Sequence, residues 1–146
     1  MKLSDIRSEW TKDSVIDELN LGKESLRVPT LHAKYLNLLS GIKLQLRKAE
    51  SDYLNTRRLK YRYYRGEMTK EELSVLEWQQ FQGNKPLKNE MDEFLECDKD
   101  LIELQDKAEY FRITIYTLEQ ILRSLNSRTW DIKTAVEYMR FTNGMM

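Results

Sequence analysis

Residues 101–125, LIELQDKAEYFRITIYTLEQILRSL, carry the pattern that decides the fold. Apolar residues recur there three or four positions apart, at Leu101, Leu104, Ala108, Phe111, Ile115, Leu118, Leu122 and Leu125. This near-heptad spacing places them in one seam along an α-helix. The same steps extend back to Leu87, so the sequence predicts one long helix from about Leu87 to Leu125. Cys97 falls in the seam and is interpreted as a small packing residue.

A second seam precedes the first. Its members, again three or four residues apart, are Leu31, Tyr35, Leu38 or Leu39, Ile42, Leu46, Ala49 and Tyr53. Pro29 suits the first turn of a helix and Gly66 suits the position after its end, so one helix is predicted between them. Polar residues on its other faces, such as Arg47 and Lys48, are expected to keep it soluble. Two long helices with apolar seams predict an all-α fold built on a long helical hairpin.

Short helices are expected around this hairpin. Residues 3–20 predict a small amphipathic helix pair, broken near residues 10–14 and ended by Gly22. The connector 65–86 contains Thr69-Lys70-Glu71-Glu72, which has the Thr-x-x-Glu form of a capping box and predicts a short helix. Asn126 and Ser127 interrupt the second seam, so a separate closing helix is predicted within residues 127–146.

Composition bounds the class of protein. The 146 residues are 40% hydrophobic and 33% charged, with five glycines and two prolines, which favours a water-exposed helical domain. No apolar run approaches the ~20 residues that cross a bilayer, and the amino terminus has no signal-peptide core. One cysteine excludes an internal disulfide and fits a reducing compartment. We therefore expect an intracellular protein that is not in a membrane.

Catalytic and metal-binding groups are missing from the sequence. His32 is the only histidine, so the chain cannot assemble a His/Cys metal site. For the same reason it could form a histidine-activated nucleophile at no more than one position. There is no glycine-rich phosphate loop, and the acidic stretch 90–109 lacks the spacing of a calcium loop. We expect a protein that is not an enzyme and needs no cofactor or metal.

Residues 57–66, RRLKYRYYRG, form what we call the basic–aromatic element. It contains five basic residues, three tyrosines and no acid. Cations neutralise phosphates and phenol rings can stack on bases, which favours single-stranded nucleic acid as the ligand. On a helix, Arg58, Arg62 and Arg65 share one face. Cations also suit the carboxyl end of any helix, and tyrosines at helical spacing often pack internally, so a purely structural interpretation stays open.

Residue groups along nearly the whole chain resemble one family, the UvsY-type recombination mediator proteins of T-even-like bacteriophages. The most specific group is Arg58-x-Lys60 followed by Tyr63-Tyr64-x-Gly66, which resembles the family's single-strand-binding motif. Other matching groups are Lys12-Asp13, Ile16-Asp17, Leu21, Tyr35-Leu36-Asn37, Ser40, Ile42-Lys43, Arg128 and Ile132-Lys133. The order of arginine and lysine in the motif is reversed here, Arg62 stands where the family has an acidic residue, and the connector after Gly66 differs.

The resemblance implies a non-enzymatic mediator that binds single-stranded DNA as a homo-oligomeric ring of seven subunits. Such a mediator promotes loading of a phage RecA-like recombinase onto strands coated by the phage single-strand-binding protein. It would act in homologous recombination, repair and recombination-dependent replication, in the cytoplasm of the infected bacterial host.

Two sets of site residues accompany this hypothesis. Residues 1–126 form the expected strand-binding domain, with DNA contacts from Arg57, Arg58, Lys60, Tyr61, Arg62, Tyr63, Tyr64 and Arg65. Residues 127–146 form the expected oligomerisation helix, with contacts from Trp130, Ile132, Val136, Met139 and Phe141. The alternative is a non-catalytic helical scaffold or adaptor that binds only protein, its basic stretch pairing with an acidic helix.

Overall fold

A computed structural model describes residues 1–144 of the chain. These residues form the helices α1 (Leu3–Asp13), α2 (Leu21–Tyr64), α3 (Lys70–Leu76), α4 (Met91–Glu96) and α5 (Lys99–Thr142). No strand occurs within them, and the two long helices α2 and α5 dominate the fold. The all-α prediction is confirmed. Residues 145 and 146, the end of the expected closing helix, lie outside the described residues.

The chain divides into two compact units. The first unit contains residues 1–43 and the chain from residue 112 onward, and the second contains residues 44–111. Each long helix therefore contributes one part to each unit. In both parts most of the seam residues that the spacing predicts are buried: Leu31, Tyr35, Ile42, Ala49, Leu101, Ala108, Phe111, Ile115, Leu118, Leu122 and Leu125. Leu46, Tyr53 and Leu104 are half-buried, and Leu87, which precedes α4, is exposed.

A polar cluster at the carboxyl end of α1 holds the helices of the first unit together. Asp13 Oδ2 accepts hydrogen bonds from Lys34 Nζ at 2.6 Å and from the Tyr35 hydroxyl at 2.8 Å. Arg128 of α5 is only 4% exposed and donates to the carbonyl oxygens of Asp13, at 3.1 Å, and Ser14, at 3.0 Å. A guanidinium at this end satisfies carbonyls that the helix leaves unpaired. The cluster therefore ties α1 to both long helices of this unit.

The amino-terminal boundaries differ from those predicted. One helix, α1, replaces the expected pair, and residues 14–20 contain a turn in which Asp17 Oδ1 accepts from the Leu19 N–H at 3.0 Å. The helix α2 begins at Leu21 rather than at Pro29, which lies inside it. An interior proline costs about 3 kcal/mol of helix stability. In the two extra turns the buried Glu24 is bound by Arg27 at 3.1 Å, and Arg27 also lies 3.7 Å from the Asp13 carboxylate, which connects these turns to α1.

The second long helix also begins later than predicted. A short helix, α4, ends at Glu96, and α5 starts at Lys99. The Asp98 side chain causes the break, because Asp98 Oδ1 accepts from the N–H groups of Asp100 at 3.0 Å and Leu101 at 3.1 Å. Such a side chain caps a new helix instead of continuing an old one. Cys97 lies at this break and is exposed, so its interpretation as a packing residue was wrong.

The break predicted at Asn126 and Ser127 is absent, because α5 continues to Thr142. The buried seam continues past Leu125 to Arg128 and Ile132. Arg128 occupies the next seam position, so the apolar pattern in the sequence stops there. The buried face of the helix nevertheless continues to Ile132. The Ser127 hydroxyl donates to the Ser124 carbonyl oxygen at 2.9 Å, which satisfies it within the helix. The segment after residue 126 is the last part of α5.

The Asp13 cluster predicts a pH-dependent loss of stability. Burial alone would raise the pKa of Asp13, but hydrogen bonds from Lys34 and Tyr35 and nearby positive charge outweigh it, and the pKa falls below 3.8. A lowered pKa contributes stability above the unfolded value, and this is lost as pH falls through the folded value. The Asp13→Asn variant should lose about 1–3 kcal/mol of unfolding free energy at pH 7.

Urea denaturation at several pH values measures this effect. The difference between the wild-type protein and Asp13→Asn should shrink as pH falls from about 5 toward 2, because protonated Asp13 resembles asparagine. A constant difference between wild type and Asp13→Asn across that range would contradict the role given to the carboxylate.

Candidate nucleic-acid interface

The basic–aromatic element forms the last turns of α2 in the second unit, as its sequence position predicted. Gly66 ends the helix with a φ of +69°, a conformation that glycine adopts without strain. The N–H of Glu67 donates to the Arg62 carbonyl oxygen at 3.0 Å, and the N–H of Gly66 donates to that of Tyr63 at 3.1 Å. These two bonds form a Schellman motif. The end of the element is therefore held by backbone bonds and not only by its side chains.

The connector after Gly66 returns toward this end of α2. Its helix α3 opens with the predicted capping box: Thr69 Oγ1 accepts from the Glu72 N–H at 3.2 Å, and Glu72 Oε1 accepts from the Thr69 N–H at 3.3 Å. Beyond α3, Trp78 and Phe81 pack on the tyrosines of the element. Strong local capping thus begins a segment whose later aromatic residues cover the element.

Lys60 is the most enclosed cation of the element. The residue is 7% exposed, and its Nζ lies 2.7 Å from Asp100 Oδ2 and 3.3 Å from Asp98 Oδ2. The same Nζ lies 4.2 Å from the centroid of the Trp78 ring, within the range of a cation–π contact. Two carboxylates and one indole therefore compensate this charge inside the unit.

Asp98 links Lys60 to the rest of the second unit. While Oδ1 caps α5, Oδ2 accepts from the Tyr64 hydroxyl at 2.6 Å. Burial alone would raise the pKa of Asp98, but the bonds from Tyr64 and the Leu101 N–H, together with Lys60, lower it. Burial, with the bond to Asp98, raises the pKa of Tyr64 far above its usual value, so the phenol keeps its proton. Asp98 is therefore an ionised acceptor between two protonated donors.

The outer arginines of the element also meet carboxylates. Arg62 binds Glu72 through both terminal nitrogens, at 2.7 and 3.0 Å, and this hydrogen bond lowers the pKa of Glu72. Arg65 Nε lies 2.8 Å from Glu67 Oε1. Arg57 lies 3.6 Å from Asp92, whose side chain is 82% exposed. These three pairs lie near solvent, where an ion pair contributes only about 0–1 kcal/mol.

Arg58 differs from the other four cations of the element. It is exposed, and within residues 1–144 it forms no ion pair. Its guanidinium is therefore the one in the element that can meet a phosphate without first leaving a protein carboxylate.

The three tyrosines of the element contact protein rather than solvent alone. Tyr61 and Tyr64 pack against a buried cluster of Met91, Leu95 and Leu101. Tyr63 lies between other rings, 5.4 Å from Trp78 and 5.9 Å from Phe81, and its hydroxyl donates to the Gln79 carbonyl oxygen at 2.6 Å. Sequence reasoning left stacking and packing open for these residues, and the described geometry is packing.

The structure adds residues that the sequence did not assign to the element: Trp78, Phe81, Phe94, Asp98 and Asp100. The rings form edge-on contacts at 5.1–6.2 Å, for example between Tyr64 and Phe81 at 5.1 Å and between Phe81 and Phe94 at 6.2 Å. The sequence signal for this cluster was the aromatic content of the connector and the acids of 90–109. Neither signal says which face of α2 these residues cover.

The expected oligomerisation residues lie on the last part of α5, in the first unit. Trp130 and Phe141 are 68% and 72% exposed, and Met139 is also exposed. Ile132 is buried within the unit and Val136 is half-buried. The segment therefore presents large apolar side chains to solvent while Ile132 anchors it.

The described residues offer neither a metal cluster nor a membrane span. Residues 1–144 contain no group of three or more His, Cys, Asp or Glu side chains placed to hold a metal ion. No helix among them is long and apolar enough to cross a membrane.

Comparison with known proteins gives a match over nearly the full chain. Residues 9–145 match the family described as "Recombination, repair and ssDNA binding protein UvsY". The recombination protein uvsY of Enterobacteria phage T4 is 27% identical over 144 residues, which cover 99% of each chain.

Solved structures agree with this match. Two crystal forms of the bacteriophage T4 recombination mediator protein UvsY superpose with TM-scores of 0.81 and 0.83, at 27% and 26% identity. The first alignment covers 99% of this chain and 98% of the other, and the second covers 97% and 99%. The chain therefore belongs to the UvsY family of recombination, repair and single-stranded-DNA-binding proteins, a family of non-catalytic mediators.

Proposed function

We propose that this protein is a recombination mediator that binds single-stranded DNA as a homo-oligomer. In this proposal it promotes loading of a RecA-like phage recombinase onto strands coated by the phage single-strand-binding protein. The processes served are homologous recombination, repair and recombination-dependent replication, in the cytoplasm of the infected bacterial host. Family membership supports the strand as ligand, and the exposed, unpaired guanidinium of Arg58 within the family-like motif supports the element as the binding site.

The proposal assigns different roles to the cations of the element. Arg58 meets a phosphate directly. Arg57, Arg62 and Arg65 can exchange carboxylate partners near solvent for phosphates, because those pairs contribute little stability. Lys60 faces Asp98, whose side chain is 3% exposed, and such a pair is costly to break. Lys60 therefore acts by holding the end of α2 in place, together with Tyr61, Tyr63 and Tyr64.

We propose that the homo-oligomer assembles through the segment after residue 126 and that residues 1–126 bind the strand. Trp130, Met139 and Phe141 would make contacts between subunits, while Ile132 and Val136 fix the segment to its own subunit. A few phosphate contacts per subunit give weak binding, but several copies on one strand raise the affinity through effective concentration. A ring of seven subunits, implied by resemblance, would supply those copies.

The second candidate function is a helical scaffold that binds only protein. It is favoured by one observation: four of the five cations in the element already pair with acids of the same chain. Binding to labelled single-stranded oligonucleotides separates the two candidates, since the scaffold requires no affinity for DNA.

Arg58→Ala should weaken binding of a labelled single strand at low salt by about tenfold or more, the loss expected for a charge-assisted hydrogen bond. Fluorescence anisotropy measures the affinity. Lys88→Ala, which removes the same charge from an exposed position between the connector and α4, is the control and should bind as wild type. Equal affinities for Arg58→Ala and wild type would contradict the binding role of the element.

Lys60→Met should behave differently from Arg58→Ala. Removing this ammonium leaves the buried Asp98 uncompensated, which costs about 3 kcal/mol of unfolding free energy. Urea denaturation should show a lower midpoint for Lys60→Met and an unchanged one for Arg58→Ala. The double variant Lys60→Met with Asp98→Asn should lose less than the sum of the single losses. If Lys60→Met lost DNA affinity while keeping the wild-type midpoint, Lys60 would be a direct contact instead.

Trp130→Ser combined with Phe141→Ser should reduce the size of the particle seen by sedimentation velocity. Both side chains are exposed in the subunit, so their loss should leave the fold intact. Tyr116→Ser, at a residue of the first unit that is 65% exposed, is the matched control and should sediment as wild type. A particle of unchanged size in the double variant would remove the end of α5 from the interface.

A further inference from the structure

Cations without an ion pair also occur on α2 before the basic–aromatic element, in the second unit. Arg47 and Lys48 are exposed, and neither forms an ion pair within the described chain. Arg47 precedes Arg58 by eleven residues, which is about three helical turns, so the two side chains lie within roughly 20° of each other around the axis. Lys48 lies beside this face, about 80° around the axis from Arg58 and as far to one side as Glu50 lies to the other. Two unpaired cations therefore follow one side of α2, and a third lies beside it.

This face of α2 carries no acid. From residue 44 to residue 65 its members are Leu44, Arg47, Ser51, Leu54, Arg58, Arg62 and Arg65. The acids of that segment, Glu50 and Asp52, lie about 80° and 120° around the axis from Arg58. The opposite side of the helix, with Ala49 and Lys60, is buried. Between Leu44 and Arg58, a strand along the exposed face would thus meet only cations and neutral residues of α2. Farther on, Arg62 and Arg65 are paired with the connector acids Glu72 and Glu67.

Ion pairs neutralise most cations of the basic–aromatic element. The cations of α2 that have no ion pair therefore lie toward the middle of the helix. Acids of the connector and of residues 92–100 neutralise Arg57, Lys60, Arg62 and Arg65. Arg47, Lys48 and Arg58 form no ion pair within residues 1–144. The surface best able to attract phosphates therefore begins at Arg58 and runs away from Gly66.

We propose that the single-stranded DNA site is a track along this face, on which Arg47 and Lys48 bind phosphates in addition to Arg58. The inference rests on the proposed function for the nature of the strand. The distance from Arg58 to Arg47 is about 16 Å along the axis, a length that several nucleotides of a single strand can span. Leu44 and Leu54, 73% and 64% exposed, lie on the track and offer apolar surface to unpaired bases.

A double variant of the full chain, Arg47→Ala with Lys48→Ala, tests the track. Binding of a labelled single strand is measured over a range of salt concentrations. Loss of two phosphate contacts should reduce the slope of log affinity against log salt by about 1.4, and by more when several subunits hold one strand. At low salt the affinity should fall tenfold or more. Alanine preserves helix at these exposed positions, which circular dichroism and sedimentation verify.

Lys70→Ala with Lys88→Ala is the matched control, since it removes equal charge from exposed positions outside α2. Its salt slope should equal that of wild type. A wild-type slope in the Arg47→Ala, Lys48→Ala variant would overturn the track, as would an equal decrease in the control, because the effect would then follow net charge alone. If Arg58→Ala weakened binding while the double variant did not, only the track would fail. If none of these variants weakened binding, the proposed strand-binding site would fail as well.

Discussion

The bond between Lys60 and Asp98 is the interaction on which the second unit depends. Asp98 caps the start of α5, accepts the Tyr64 hydroxyl and faces the Lys60 ammonium, so one buried carboxylate joins the end of one long helix to the beginning of the other. Each group would be costly to bury without the others. The end of α2 is consequently held to the start of α5 by buried polar contacts, beside the exposed Arg58.

The first unit is built with the same chemistry. Asp13 also accepts a tyrosine hydroxyl and a lysine ammonium, those of Tyr35 and Lys34, and it too lies at a helix end. In both units the carboxylate stays ionised because hydrogen bonds and positive charge outweigh the effect of burial on its pKa. A long helix pair with modest apolar seams thus gains its fixed geometry from two polar clusters, one in each unit.

This construction changes how the basic composition of residues 57–66 is understood. Five cations in nine residues predict strong phosphate attraction, yet most of that charge is paired within the subunit. The pairs near solvent are weak and exchangeable, whereas the buried one is structural. Family membership indicates a DNA strand as ligand, and Arg58, together with Arg47 and Lys48 earlier on α2, forms no ion pair within residues 1–144. The acidic stretch 90–109 has a defined use here, since Asp98 and Asp100 hold Lys60.

The sequence by itself determined the features whose causes are local. The seams predicted the two long helices, Gly66 predicted the end of α2, and Thr69 with Glu72 predicted the start of α3, because each depends on residues a few positions apart. Only the tertiary structure decided the continuation of α2 through Pro29, the late start of α5 and the direction of the tyrosines. It also decided which cations remain free. Those outcomes depend on contacts between residues far apart in the chain, such as Tyr64 and Asp98 or Arg128 and Asp13, and local spacing carries no information about them.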